Sequence, residues 1–257
     1  MDTQAIIQAR MGSTRLPDKV LMKLADKTVL EHVIERVSKS ELIQGIVVAT
    51  TVKKRDLEIA RLCAMKGVSI FCGSEDDVLD RFYQTAKQFR IKNIVRITAD
   101  CPLIDPQIID RAVKLYFDTG ADYVSNTLEE TFPDGLDVEV FSFDALEAAW
   151  KDARLMSERE HVTPYIRKNS GRFSTASMKH TVDLSGKRWT LDTQEDLEFL
   201  KIIFENIYYK KPDFNTTDIL AFIKKYPEIE RINSEALRNE GYLKSLAQDT
   251  AMEAGRA

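Results

Sequence analysis

Residues 45–73 read GIVVATTVKKRDLEIARLCAMKGVSIFCG. GIVVATT (45–51) is a β-branched run of the kind that forms a strand buried on both faces, and VSIFCG (68–73) repeats it. Between them, residues 55–66 place Leu57, Ile59, Ala60, Leu62 and Cys63 at helical spacing. Strand, helix and strand in one short stretch make a βαβ unit. The same alternation continues outward. Upstream, Ala5-Ile6-Ile7 ends a short strand at Ala9, and Val29, Leu30, Val33, Ile34 and Val37 mark a helix over 28–38. Downstream, residues 76–89 predict a helix with Asp76 as its N-cap, and NIVRITAD (93–100) a fourth strand. Pro106 opens a further helix that runs to about Thr119, behind Asp105 as N-cap. The pattern predicts an α/β fold with a mainly parallel sheet covered on both faces. Ligands then bind at the carboxyl ends of the strands.

After about residue 121 the pattern loosens. DYVSN, LDVEVFS, RFSTASMKHTVDL and RWTLDT read as shorter, mixed strands, with helices near 143–153, 157–169, 194–207 and 215–225. The simplest division is one domain over 1–225, with a smaller mixed β region at about 121–190. A helical C-terminal extension follows over 226–257, and the final AMEAGRA is expected to fray.

The chain has 257 residues, 44% of them hydrophobic and 30% charged, which is enough apolar content for a core and excludes global disorder. No apolar run is long enough to span a bilayer, and no signal peptide is recognisable, so a cytoplasmic protein is expected. A net charge of −4 argues against general nucleic-acid binding. Cys63, Cys72 and Cys101 form no CxxC pair and are expected to be reduced, mostly buried thiols.

The loop after the first strand is locally basic. Gln8–Lys19 holds Gly12, Ser13 and Thr14 between Arg10, Arg15 and Lys19, against the single acid Asp18. Small residues let backbone N–H groups approach an anion, which suits a triphosphate. Neither GxxxxGK[ST] nor GxGxxG is present, and a solvated turn with surface arginines fits the loop chemistry as well.

IIQARMGSTRLPDKVL (6–21) closely resembles the opening of the sugar-activating cytidylyltransferases, the synthetases of CMP-linked 3-deoxy-octulosonate and acylneuraminate. The nearest branch is that of the spore coat polysaccharide biosynthesis protein F. The resemblance spans roughly residues 3–200. It implies a Rossmann-like, nucleotide-diphospho-sugar transferase (GT-A-like) three-layer sandwich. The reaction implied is CMP transfer from CTP to a sugar or sugar acid, with release of pyrophosphate. Arg15 and Lys19 fall on the family's phosphate cations, and Ala9, Arg10, Met11, Gly12 and Ser13 on the loop that lines base and phosphates. Gly73, Ser74 and Asp77 in GSEDDVL match a loop beside base and ribose, although a capped helix start explains the acids equally. Arg81, one turn on, is expected to pair with Asp77.

Arg96, Asp100, Pro102 and Leu103 match the family's R-x-x-x-D-x-P-L pattern, whose Asp binds Mg²⁺. Asp192 in LDTQEDL matches the Asp that completes the metal site, and Thr193 with Asp196 makes a capping pair. The acceptor is expected near Asp137 and Glu139, which alternate on a strand, and near the triplet Arg159, Glu160 and His161. An exposed strand face is the competing reading of the first two, and a structural histidine that of His161. His32 and His180 read as structural. Arg15, Lys19 and Asp100 are thus the catalytic candidates, with no protein nucleophile. A metal-dependent glycosyltransferase is the first rival, but D-x-D is absent at Ala99-Asp100-Cys101. A non-catalytic nucleotide-binding protein is the second. The resemblance also implies a homodimer, since the family often pairs through its smaller β region.

Overall fold

A computed structural model describes residues 2–254. The chain runs β1 (Thr3–Gln8), β2 (Lys23–Leu24), β3 (Lys27–Thr28), α1 (Val29–Val37), β4 (Gly45–Thr51), α2 (Leu57–Lys66), β5 (Ser69–Gly73), α3 (Val78–Gln88), β6 (Asn93–Thr98) and α4 (Pro106–Thr119). It continues β7 (Tyr123–Ser125), β8 (Glu139–Ser142), α5 (Phe143–Asp152), α6 (Met156–His161), α7 (Pro164–Lys168), β9 (Thr175–Ser177), α8 (Gln194–Ile203), α9 (Thr216–Lys225) and α10 (Glu240–Ala254). The β2–β3 hairpin stands apart. All other strands form one sheet in the order β5-β4-β1-β6-β8-β7-β9.

The four strands β5, β4, β1 and β6 are parallel, as the alternating pattern predicts. β8 runs antiparallel to both β6 and β7, so the mixed strands after residue 121 continue the central sheet. Period-2 alternation explains the three layers. Ala5, Ile7, Val48, Val95 and Ile97 face a core with α1, α2, α4, α8 and α9. Ile6, Val47, Ala49 and Ile94 face a second core with α3 and α5. The chain passes from β1 outward to β4 and β5, then returns to place β6 on the other side of β1. That reversal opens a crevice beyond the carboxyl ends of β1 and β6, where the first loop and Asp100 lie.

Four local expectations differ. Asp77, not Asp76, caps α3, accepting from Asp80 N at 2.9 Å. The helix expected over 157–169 is broken into α6 and α7 at Val162, whose φ is +71°. There Thr163 N donates to His161 O at 2.8 Å, a γ-turn of the strained hand. RWTLDT (188–193) forms no strand, only a bridge between Arg188 and Asp134. His180 lies beyond β9, its ring against Phe132, while His32 is buried against Leu24 O as expected. The fraying expected over 251–257 falls partly outside the described residues, and α10 runs to Ala254. No helix among the described residues is long and apolar enough to cross a membrane.

Candidate active site

The first loop is pinned from below. Met11 is buried, and its N–H donates to Asp56 Oδ1 at 2.7 Å; Thr51 donates to the other oxygen of the same buried carboxylate. Asp18, at φ +60°, then turns the chain into a short 3₁₀ segment, Lys19–Leu21, that sends Lys19 inward. The residue is only 8% exposed, and its ammonium lies 2.6 Å from Asp100 Oδ2 and 2.7 Å from Asp192 Oδ1. Residues 81 and 173 positions away from Lys19 in sequence therefore converge on one point. Burial works against the charged ammonium, but Asp100 and Asp192 more than offset it and hold the Lys19 pKa above its usual value. Burial likewise opposes the Asp100 carboxylate, and Lys19 overrides it, leaving that pKa below the usual range.

Asp192 is delivered by a backbone clip and a buried guanidinium. Leu191 N donates to Asp100 O at 2.9 Å, tying the 190s segment to the end of β6. Arg188 donates to both oxygens of the fully buried Asp196, at 2.8 and 3.0 Å, and reaches Asp134 at 2.8 Å and Asp192 at 3.2 Å. Asp196 also accepts from Asn233 at 2.9 Å and, with Thr193, forms the expected cap of α8. Burial raises the Asp196 carboxyl, but Arg188 brings it below the ordinary carboxylate range. Gly135 makes this packing possible. At φ +102°, a Cβ there would sit 2.5 Å from the backbone of Trp189 and Thr190. Arg188 and Asn233 escaped the sequence reading, and Asp196 was read only as a cap, because a hub of buried charge joins residues from segments far apart in the chain.

Two adjoining cavities meet at Asp100 and Asp192. One, of about 410 Å³, is walled by Ala9, Arg10 and Gly12–Arg15, with Lys19 at its base. The other, of about 390 Å³, is walled by Thr127, Asp134, Asp137 and Glu139 on one side and by His161, Thr163 and Arg167 on the other. Glu139 is not on an exposed strand face. It is buried, accepts from Tyr123 Oη at 2.6 Å and Thr163 Oγ1 at 2.5 Å, and pairs with Arg96. Burial opposes its charge, but Arg96 and Arg167 hold its pKa down. Asp137 pairs with Arg238 at 3.1 Å, yet burial pushes its carboxyl up to about 7. Burial, aided by Arg96, pushes His161 down to about 4, so its ring is neutral at pH 7. Glu160 lines the first cavity.

Several expected residues lie elsewhere. Met11 faces the core instead of the cavity, because Asp56 anchors its backbone. Gly73, Ser74 and Asp77 are absent from both walls. Ser74 accepts from Asp77 N, and the Asp77 carboxylate is taken by the α3 cap and by Arg159. Arg159 is therefore drawn onto α3 and away from the acceptor side, with a further bond to Trp150 O at 2.9 Å. Arg81, expected beside Asp77, is buried and donates to Ser74 O. Cys101 is buried, and burial with the neighbouring Asp100 charge keeps it a thiol, so it offers no nucleophile. Cys72 is exposed.

The arrangement can hold a polyanion against a basic loop and bring a second, polyhydroxylated molecule to the same pair of carboxylates. The profile of the cytidylyltransferase family matches residues 4–240. An uncharacterised protein of Methanocaldococcus jannaschii is 43% identical, covering 92% of this chain and 96% of its own. The spore coat polysaccharide biosynthesis protein SpsF of Bacillus subtilis is 32% identical, over 88% of this chain and 96% of its own. The solved structure of a cytidylyltransferase from Leptospira borgpetersenii superposes with a TM-score of 0.85 at 37% identity, covering 90% of this chain and 97% of that one.

Proposed function

The chain belongs to the cytidylyltransferase family, and from that premise we propose that it transfers CMP from CTP to a hydroxyl of a sugar or sugar acid, releasing pyrophosphate, for surface glycan synthesis. The observation that carries this reading is the junction of two cavities at Asp100 and Asp192, with Lys19 between the carboxylates. CTP takes the basic cavity, with the backbone of Ala9, Arg10, Gly12 and Ser13 along base and phosphates. The acceptor takes the other, where Asp137 and the neutral His161 hydrogen-bond hydroxyls and Glu139 orders the wall. Arg15 and Lys19 neutralise charge that develops on the phosphate oxygens during in-line attack.

The donor set fits Mg²⁺. Two carboxylates are brought to one point, where they now share the Lys19 ammonium, and substrate phosphates and water would supply the rest of the ion's shell. Among the described residues no group of three or more His, Cys, Asp or Glu side chains could hold a metal ion by itself. When bound by Asp100 and Asp192, the ion would add positive charge at the phosphates. The same reading puts the enzyme in the cytoplasm with its soluble substrates.

The test is thermal stabilisation by CTP, UTP, ATP, GTP and UDP- or GDP-sugars, each with and without Mg²⁺. A selective, Mg²⁺-enhanced shift with CTP supports the reading. A shift confined to a nucleotide-sugar would replace it with a glycosyltransferase.

A further inference from the structure

The family match ends at residue 240, where α10 begins. The helix nonetheless docks against α6, at the mouth of the basic cavity. Ser245 Oγ donates to Glu160 at 2.6 Å and lies 3.1 Å from His161 Nε2. Asp249 accepts from Ser157 N at 3.2 Å, and Tyr242 packs edge-on against the His161 ring. These contacts fix the helix so that Gly241, Lys244, Ser245 and Gln248 line the same cavity as Arg15 and Lys19.

The charged residues on this face form a chain. Arg15 pairs with Asp192 at 3.0 Å through one guanidinium nitrogen and with Glu240 through the other. The second oxygen of Glu240 pairs with Lys244 at 2.6 Å. One carboxylate thus occupies two cations that both face a cavity shaped for polyanions. None of the three side chains is buried: Arg15 and Glu240 are about one-third exposed and Lys244 is 65% exposed. Pairs of that exposure are weak. A triphosphate offers both cations more charge and more acceptor oxygens than one carboxylate does.

We propose that α10 is a working part of the triphosphate site, in which Lys244 is a third phosphate-binding cation beside Arg15 and Lys19, and Glu240 holds Arg15 and Lys244 in the free protein and yields both to the incoming triphosphate. This rests on the reading that the basic cavity binds a nucleoside triphosphate. It makes a prediction of opposite sign for two members of one ion pair. Removing Lys244 takes away a cation the triphosphate uses. Removing the Glu240 charge takes away a competitor for Arg15 and a like charge near the phosphates.

The test is calorimetric titration of Mg²⁺-CTP into the full-length chain as wild type, Glu240→Gln and Lys244→Ala. Lys244→Ala is expected to weaken binding about threefold to tenfold, the scale of one part-exposed charge contact. Glu240→Gln is expected to tighten it about twofold to fivefold, on the same scale. A merely structural role for the pair would give both variants the same sign, because each loses the same link within the helix. Wild-type binding with both variants weaker, or both unchanged, would overturn the proposal and leave the triphosphate reading intact. A wild type that binds none of CTP, UTP, ATP or GTP would overturn both.

Discussion

Replacing Lys19 by methionine removes the charge at the centre of the site and keeps most of its volume. Two carboxylates then lose their shared ammonium. Asp192 retains Arg15 at 3.0 Å and Arg188 at 3.2 Å, whereas Asp100 has no other cationic partner among the described residues. Breaking a buried ion pair by removing one partner costs about 3–5 kcal/mol. Asp100 is 25% exposed, so solvent offsets part of that, and a loss of roughly 1–2 kcal/mol is expected. For a chain of this size that lowers Tm by about 2–8 °C. The loss depends on pH. In the wild type the Asp100 pKa is held below its unfolded value, so its contribution is present above about pH 4 and disappears as pH falls through the folded value. The raised Lys19 pKa contributes at every pH below about 10 and is lost only above that, so it adds no slope in the acid range. Chemical denaturation should therefore find wild type and Lys19→Met furthest apart near neutrality, with the gap narrowing progressively as pH falls below 4. Turnover should fall about 10²–10³-fold, the usual cost of one transition-state charge donor. An equal stability gap at both pH values, or turnover near that of the wild type, would refute the assignment.

Four further substitutions test the scaffold. Gly135→Ala should cost on the order of 2–4 kcal/mol, since φ is +102° and the new Cβ meets the backbone of Trp189 and Thr190. Gly120→Ala, at φ +62° with open space around it, should cost only about 1 kcal/mol; urea midpoints compare the two. Arg188→Met leaves the fully buried Asp196 without its cation and should lose about 3–5 kcal/mol in the same assay. Asp137→Asn addresses a carboxyl raised to about 7, whose contribution is fully present below its unfolded pKa and is lost as pH rises from there through about 7. The variant's stability should accordingly vary less between pH 5 and pH 8 than that of the wild type.

The parallel half of the sheet was readable because each strand is a short apolar run set off by helical spacing. The expected Gly45–Thr51 strand and Pro106–Thr119 helix are found at those boundaries. Of the site, the residues carried by motif converge: Lys19, Asp100 and Asp192 meet although nothing in their spacing requires it. What escaped depends on tertiary context. Val162 adopts a left-handed φ that a β-branched residue rarely takes, so helical periodicity ran straight through the break. Asp77 and Arg159 read as ligand contacts, yet they satisfy each other across α3 and α6. α10 is only weakly amphipathic in sequence, and its role at the cavity mouth rests on polar anchors, Ser245 and Asp249, that periodicity does not register.

Transfer of CMP itself is followed directly by phosphorus-31 NMR. CTP and Mg²⁺ are incubated with the enzyme and a panel of sugars and sugar acids, with Asp100→Asn as the inactive control. A CMP phosphodiester and pyrophosphate are expected in equal amounts with one acceptor class, and neither signal with Asp100→Asn. A nucleotide-sugar consumed in the same panel while CTP stays intact would contradict that expectation.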